Sequence, residues 1–188
     1  MLELLVDSDI ELYDEKNNRF VKPKNGVYKF EHSLISLHKW EIKYKKPFLG
    51  KDEKTYEETK YYIKCMALQP IDDMTMDYIC NTKKLLLQIK EYIDEEQTAT
   101  FFREDKSKKK KNGRVITAEL IYFWMIQFQI PVEFEKWHLS QLLTLINVCN
   151  EENKAINDAS KNKKLNRNEP YNRHRAARAA YRSKHKKQ

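Results

Sequence analysis

The side chains that could carry covalent or metal chemistry are few and scattered. Cysteines stand at Cys65, Cys80 and Cys149, no two within five residues of each other, and the 188-residue chain has five histidines. Neither Cys-x-x-Cys, nor His-Glu-x-x-His, nor a calcium-type carboxylate loop occurs. Structural zinc needs four ligands converging at about 2.0–2.3 Å, a geometry that sequences usually prepare with closely spaced pairs. Covalent catalysis needs a base within hydrogen-bond reach of its nucleophile. Cys149 and His138 are 11 residues apart, about 16 Å along one straight helix, which forbids a dyad there. Cys149 falls on the apolar side of a helical pattern, where a thiol acts as a small hydrophobe. His138, beside Trp137, reads first as a packed or surface residue. The expectation is a non-enzymatic protein with no catalytic residue, metal or cofactor.

What remains is the chemistry of binding. The formal net charge is +8, but the excess is local. Residues 161–188 hold 11 Lys+Arg and one acid, residues 103–114 hold seven and two, and the rest of the chain carries −7. The chain is therefore an acidic body with basic appendages. In the tail, Arg173, Arg175, Arg178, Arg182, Lys184, Lys186 and Lys187 could neutralise nucleic-acid phosphates with salt-sensitive, sequence-independent affinity. They could equally dock on an acidic protein. These seven residues, with Trp137 and His138, are the candidate partner-binding set. Eleven Tyr, eight Phe and three Trp could also stack on bases. Yet Tyr122, Phe123, Trp124, Phe128 and Trp137 recur beside aliphatic residues with few basic neighbours, which points to a core.

The elements that must position these residues follow from period and punctuation. Leu2–Leu5, Ile10–Tyr13 and Val27–Phe30 read as short strands around turn-forming stretches. Ser33 caps a helix whose apolar face is Leu34, Leu37, Trp40, Ile42 and Tyr44, ended by Pro47. Thr55-Tyr56-Glu57-Glu58 is a capping box for a second helix that closes before Pro70. A short helix over Asp73–Cys80 precedes one with Leu85, Leu86, Ile89 and Ile93 on one face. Thr98–Phe102 is β-prone, and Lys106–Gly113 reads as an exposed or disordered loop. Ile116–Ile126, capped by Thr117, is apolar nearly all round and is placed at the centre of the core. A last helix spans about Glu133–Asn150, with Leu139, Leu142, Leu143, Ile146 and Cys149 inward. Asn157–Asn172 has linker composition, and the Arg/Ala-rich Arg173–Arg182 is helix-prone with little to bury.

Several of these stretches resemble a tailed-bacteriophage family described as tail assembly chaperones. They begin with His32-Ser33-Leu34-Ile35-Ser36-Leu37-His38-Lys39-Trp40-Glu41, Lys46-Pro47-Phe48-Leu49, Lys54-Thr55 and Tyr62-Ile63-Lys64-Cys65-Met66. Thr98-Ala99-Thr100, Ile116–Met125, Ile130-Pro131, Lys136-Trp137-His138-Leu139, Leu142–Ile146 and Val148-Cys149-Asn150 follow in order. The resemblance covers roughly residues 30–182. It implies a non-enzymatic tail assembly factor in the host cytoplasm, with tape-measure and tail-tube proteins as partners. Ser140-Gln141 and Asn147 stand where the family pattern has an Asn-Arg pair and an Arg, so a partner contact through those arginines would be altered here.

The combined expectation is a mainly α protein in three parts. Residues 1–30 form a short N-terminal β element, 31–153 a small helical domain with an exposed Lys-rich loop at 103–114, and 154–188 a linker and basic tail, partly disordered or helical. Three glycines leave little for a phosphate cradle or a turn-rich all-β fold. Absence of an apolar run of about 18 residues argues against a membrane span. The odd, dispersed cysteines and the acidic start fit a reducing compartment. Two alternatives stay open: a structural component of the virion, and a nucleic-acid-binding phage protein acting through its tail.

Overall fold

Capping chemistry sets where the helices begin. The computed structural model describes residues 1–14, 18–100 and 115–159. Helix α1 (Leu34–Tyr44) starts behind Ser33, whose hydroxyl accepts from the Ser36 N–H at 3.4 Å. It stops at Lys45, which turns left-handed (φ 54°) and returns its N–H to the Glu41 carbonyl. Helix α2 (Tyr56–Met66) has both halves of the capping box: Thr55 Oγ1 accepts from the Glu58 N–H at 3.2 Å, and Glu58 Oε2 from the Thr55 N–H at 2.9 Å. Asp72 caps α3 (Asp73–Asn81), α4 (Lys83–Asp94) follows at once, and Thr117 caps α5 (Ala118–Gln127).

The N-terminal β element is two nested antiparallel pairs. β1 (Leu2–Val6) lies against β4 (Gly26–Phe30), with Leu2 opposite Phe30 and Val6 opposite Gly26. Further out, β2 (Leu12–Asp14) pairs with β3 (Arg19–Val21). β3 had no alternating apolar signature to announce it, and Ile10 lies outside β2, exposed. Leu4, Val6 and Phe30 are buried in one cluster with Trp40, Ile63, Met66 and Ile89. Residues 1–30 thus share a core with the helices that follow.

A second apolar cluster joins Leu34 and Leu37 to Ala118, Ile121, Met125, Leu139, Leu142 and Ile146. Helix α1 serves both clusters, Trp40 on one side and Leu34 with Leu37 on the other. Its start is held by the preceding segment, residues 29–33, which is bonded along its length. Lys29 and His32 accept backbone N–H groups from Leu68 and Leu139, and Glu31 donates to the Met66 carbonyl, all at 2.8–2.9 Å. The protein is therefore mainly α, with six α-helices among the described residues and a short β element.

Three segments differ from the sequence expectation. The helix expected over Glu133–Asn150 begins as a 3-10 turn, Val132–Lys136, and breaks at Trp137, which is extended. His138 then bridges Ser33, and α6 starts only at residue 139. Pairing with the buried 29–33 segment outweighs the local preference for an unbroken helix. Helix α5 is not central: Ile121 and Met125 are buried, whereas Phe123 and Ile126 are exposed, as is Ile42 on α1. Thr98–Thr100 form no strand.

Two compact units divide the chain, Met1–Ile146 and Asn147–Gln188. In the second, residues 147–159 are helical, past the expected end at Asn150, with residues 150–159 exposed and a Lys154–Glu151 ion pair at 2.5 Å on the surface. Residues 101–114 and 160–188 lie outside the described residues. With them go Phe101, Phe102, the Lys-rich loop, most of Asn157–Asn172 and the Arg/Ala-rich segment.

One buried carboxylate links three of these pieces. Glu41 on α1 accepts the Phe48 N–H through Oε1 at 2.7 Å and the Ala118 N–H, at the start of α5, through Oε2 at 2.8 Å. The Ala118 donor is fully interior and the Phe48 donor half-buried, so both rely on this carboxylate for a partner. Glu41→Ala should lower the unfolding free energy by about 2–5 kcal/mol, since it strands two donors. Urea denaturation checks this, and Glu41→Gln should lose less because the amide oxygen keeps one acceptor.

Candidate interaction surface

His138 comes together with another histidine and two tyrosines inside the first unit. His138 is 2% exposed and His32 6%. Their rings meet edge-on at 5.1 Å, and Tyr92 meets His138 likewise at 5.0 Å. His138 Nε2 lies 3.1 Å from the Tyr92 carbonyl, which can only accept, so that nitrogen carries the hydrogen. Its Nδ1 then accepts from Ser140, whose Oγ is 2.8 Å away. The Tyr62 hydroxyl hydrogen-bonds His32 Nδ1 at 2.6 Å, and burial holds its pKa well above the ordinary value, so the phenol stays protonated. Burial first, and His138 second, pushes His32 down to about 4. Burial also lowers His138. Both imidazoles are thus neutral at neutral pH.

This arrangement is a satisfied interior network. The two imidazoles are buried, and both nitrogens of His138 are engaged with its own chain. Sequence reasoning placed His138 in a packed or surface role but missed His32, Tyr62 and Tyr92 as its neighbours. They come from β4's end, α2 and α4, and no local spacing signals such a meeting. Cys149 is half-buried, and burial raises Cys80 to about 11, which leaves that thiol protonated and inert. Among the described residues, no three His, Cys, Asp or Glu side chains converge as metal ligands would, and no helix is long and apolar enough to cross a membrane.

The outer face of α5 and the turn after it are different in kind. Phe123 is 56% exposed and Ile126 78%, one turn apart on the helix. From the 3-10 turn and its end come Val132, 59% exposed, and Trp137, 41%. The Trp137 ring stacks on Phe134 at 3.9 Å and 15°, which fixes its orientation while leaving one face to solvent. The Tyr122 hydroxyl donates to Glu135 Oε2 at 2.7 Å and ties α5 to the turn. Glu119 and Glu133, both exposed, sit on the same two elements. Hydrogen bonds at the helix start, first from its own backbone N–H and then from Thr117, hold the Glu119 carboxyl below the usual range.

Of the candidate partner-binding residues, Trp137 is therefore at a surface and His138 beneath it. Arg173, Arg175, Arg178, Arg182, Lys184, Lys186 and Lys187 lie outside the described residues. The sequence signal for the surface was present in α5 itself. A helix apolar on every side needs cover on every side, and among the described residues the apolar cover of this one comes mainly from α1 and α6.

The neutral histidines have a pH consequence. Unfolded, each titrates near 6.5; folded, His32 titrates near 4 and His138 also below its ordinary value. Between those values the unfolded chain holds more protons, so acid favours unfolding. For His32 the contribution is complete above pH ~6.5 and is lost as pH falls toward 4, at up to about 1.4 kcal/mol per pH unit, and His138 acts in the same direction. Urea midpoints should drop between pH 7 and pH 5, and equal midpoints would contradict the assignment. Compared with protein-family models, curated proteins and solved structures, the chain matches none.

Proposed function

We propose that this chain is a non-enzymatic assembly factor of a tailed bacteriophage that acts in the host cytoplasm. It holds a helical, aggregation-prone surface of a tail protein, the tape-measure protein first among them, until tail-tube subunits polymerise around it. The observation that carries the reading is the set of exposed apolar side chains, Phe123, Ile126, Val132 and Trp137, on α5 and the turn that follows it. Where exposed apolar side chains adjoin on a folded unit, they mark an interaction site. An amphipathic client helix laid on α5 would cover it in the helix-in-groove manner.

The resemblance of residues 30–182 to tail assembly chaperones supports the choice of client.

Co-expression with the neighbouring tail proteins tests the reading. The tape-measure protein should co-purify with the wild-type chain and be lost, at least tenfold, with Phe123→Glu/Ile126→Glu. That variant should keep its unfolding free energy within about 1 kcal/mol, because both side chains are already in water. No co-purifying tail protein, with normal tails built in the gene's absence, would overturn the proposal. Stoichiometric recovery of the chain from purified virions would replace it with a structural role.

A further inference from the structure

Strand β1 is bonded on one side only. Among the described residues it pairs with β4 alone, and the isolated bridges involve Phe30 and Ser33 instead. Two clefts, of about 660 and 450 Å³, run beside it and share Glu3 and Gln88. β1 contributes Leu2, Glu3 and Leu5 to their lining, and α4 contributes Lys84, Gln88 and Glu91. The clefts therefore follow one another along a groove with the strand on one side and a helix on the other. An unpaired strand edge is a template for a further strand, and an edge beside a helix is a setting in which extended peptides add to a sheet.

The charge of the lining selects the occupant. Glu3, Asp7, Glu91, Asp94 and Glu95 contribute five carboxylates, against the single amine of Lys84. Glu3 already pairs with Lys29 at 3.1 Å, and Glu95 accepts from Gln97 at 3.3 Å. Asp7, Glu91 and Asp94 meet no cation among the described residues. Leu5, 64% exposed, supplies an apolar contact on the strand itself. We propose that the β1 edge binds an extended Lys/Arg-rich segment of a partner protein as an added strand, with its cations set against Asp7, Glu91 and Asp94. This surface is separate from the outer face of α5, so its test does not depend on the tail-assembly reading.

The test is a titration of the isotopically labelled full-length protein with a (Lys-Val)4 peptide, followed by NMR and amide exchange. The expected result is shifts in Leu2–Val6 and in the Gln88–Glu95 stretch, with new exchange protection on β1 amides. Glu91→Lys/Asp94→Lys, at two exposed positions, should keep the fold and weaken binding at least tenfold. An equal response to (Glu-Val)4, shifts without β1 protection, or no response at millimolar peptide would each overturn the proposal.

Discussion

Residues 29–33 are the part on which the rest of the structure depends. This short extended segment leaves β4 and enters the interior, where each of its backbone polar groups must find a partner. Leu68 and Leu139, 71 residues apart in the sequence, both donate to it, and Glu31 donates to Met66. Its side chains carry the same duty: Ser33 caps α1, the Ser36 hydroxyl donates to the Glu31 carbonyl at 2.9 Å, and the Tyr92 hydroxyl donates to Glu31 Oε1 at 2.6 Å. His32 sits between Tyr62 and His138. One stretch of chain thereby joins the β element, α2, α4 and the start of α6. The neutrality of the two histidines belongs to the same arrangement, because burial costs a charged imidazole more solvation than the carboxylates of Glu31 and Glu95 near His138 return.

That anchoring explains why α5 ends up at a surface. The His138–Ser33 bridge halts the 3-10 turn at Trp137 and starts α6 where Leu139, Leu142 and Ile146 can cover Ala118, Ile121 and Met125. Glu41 fixes the beginning of α5 from the other side. Inner cover is then complete, and no described element covers the opposite face. Burying Phe123 and Ile126 elsewhere would need another helix, which is the feature that makes a client helix the natural complement. The polar interior and the apolar exterior are thus two results of one set of constraints.

Much of the fold was legible in local signals. Ser33, Thr55 and Thr117 mark helix starts through chemistry confined to four residues, and Leu85 and Ile89 mark an inward face by spacing alone. β3 was not legible, because Arg19-Phe20-Val21 is too short to show alternation. Neither was the break at Trp137, since its cause lies about a hundred residues away at Ser33. The apolar run of α5 was read correctly as a helix and wrongly as central, because periodicity records how much apolar surface a helix has and not how many neighbours reach it. For the surface itself, Trp137 was singled out, whereas Phe123 was assigned to the core with the other aromatics of its block.

Oxidative footprinting of the chain alone and in complex with the tape-measure protein measures the central claim most directly. Phe123 and Trp137 should be modified in the free chain and protected in the complex, while Trp40, in the core, stays unreactive in both. Equal modification of Phe123 and Trp137 with and without the bound client would contradict the account.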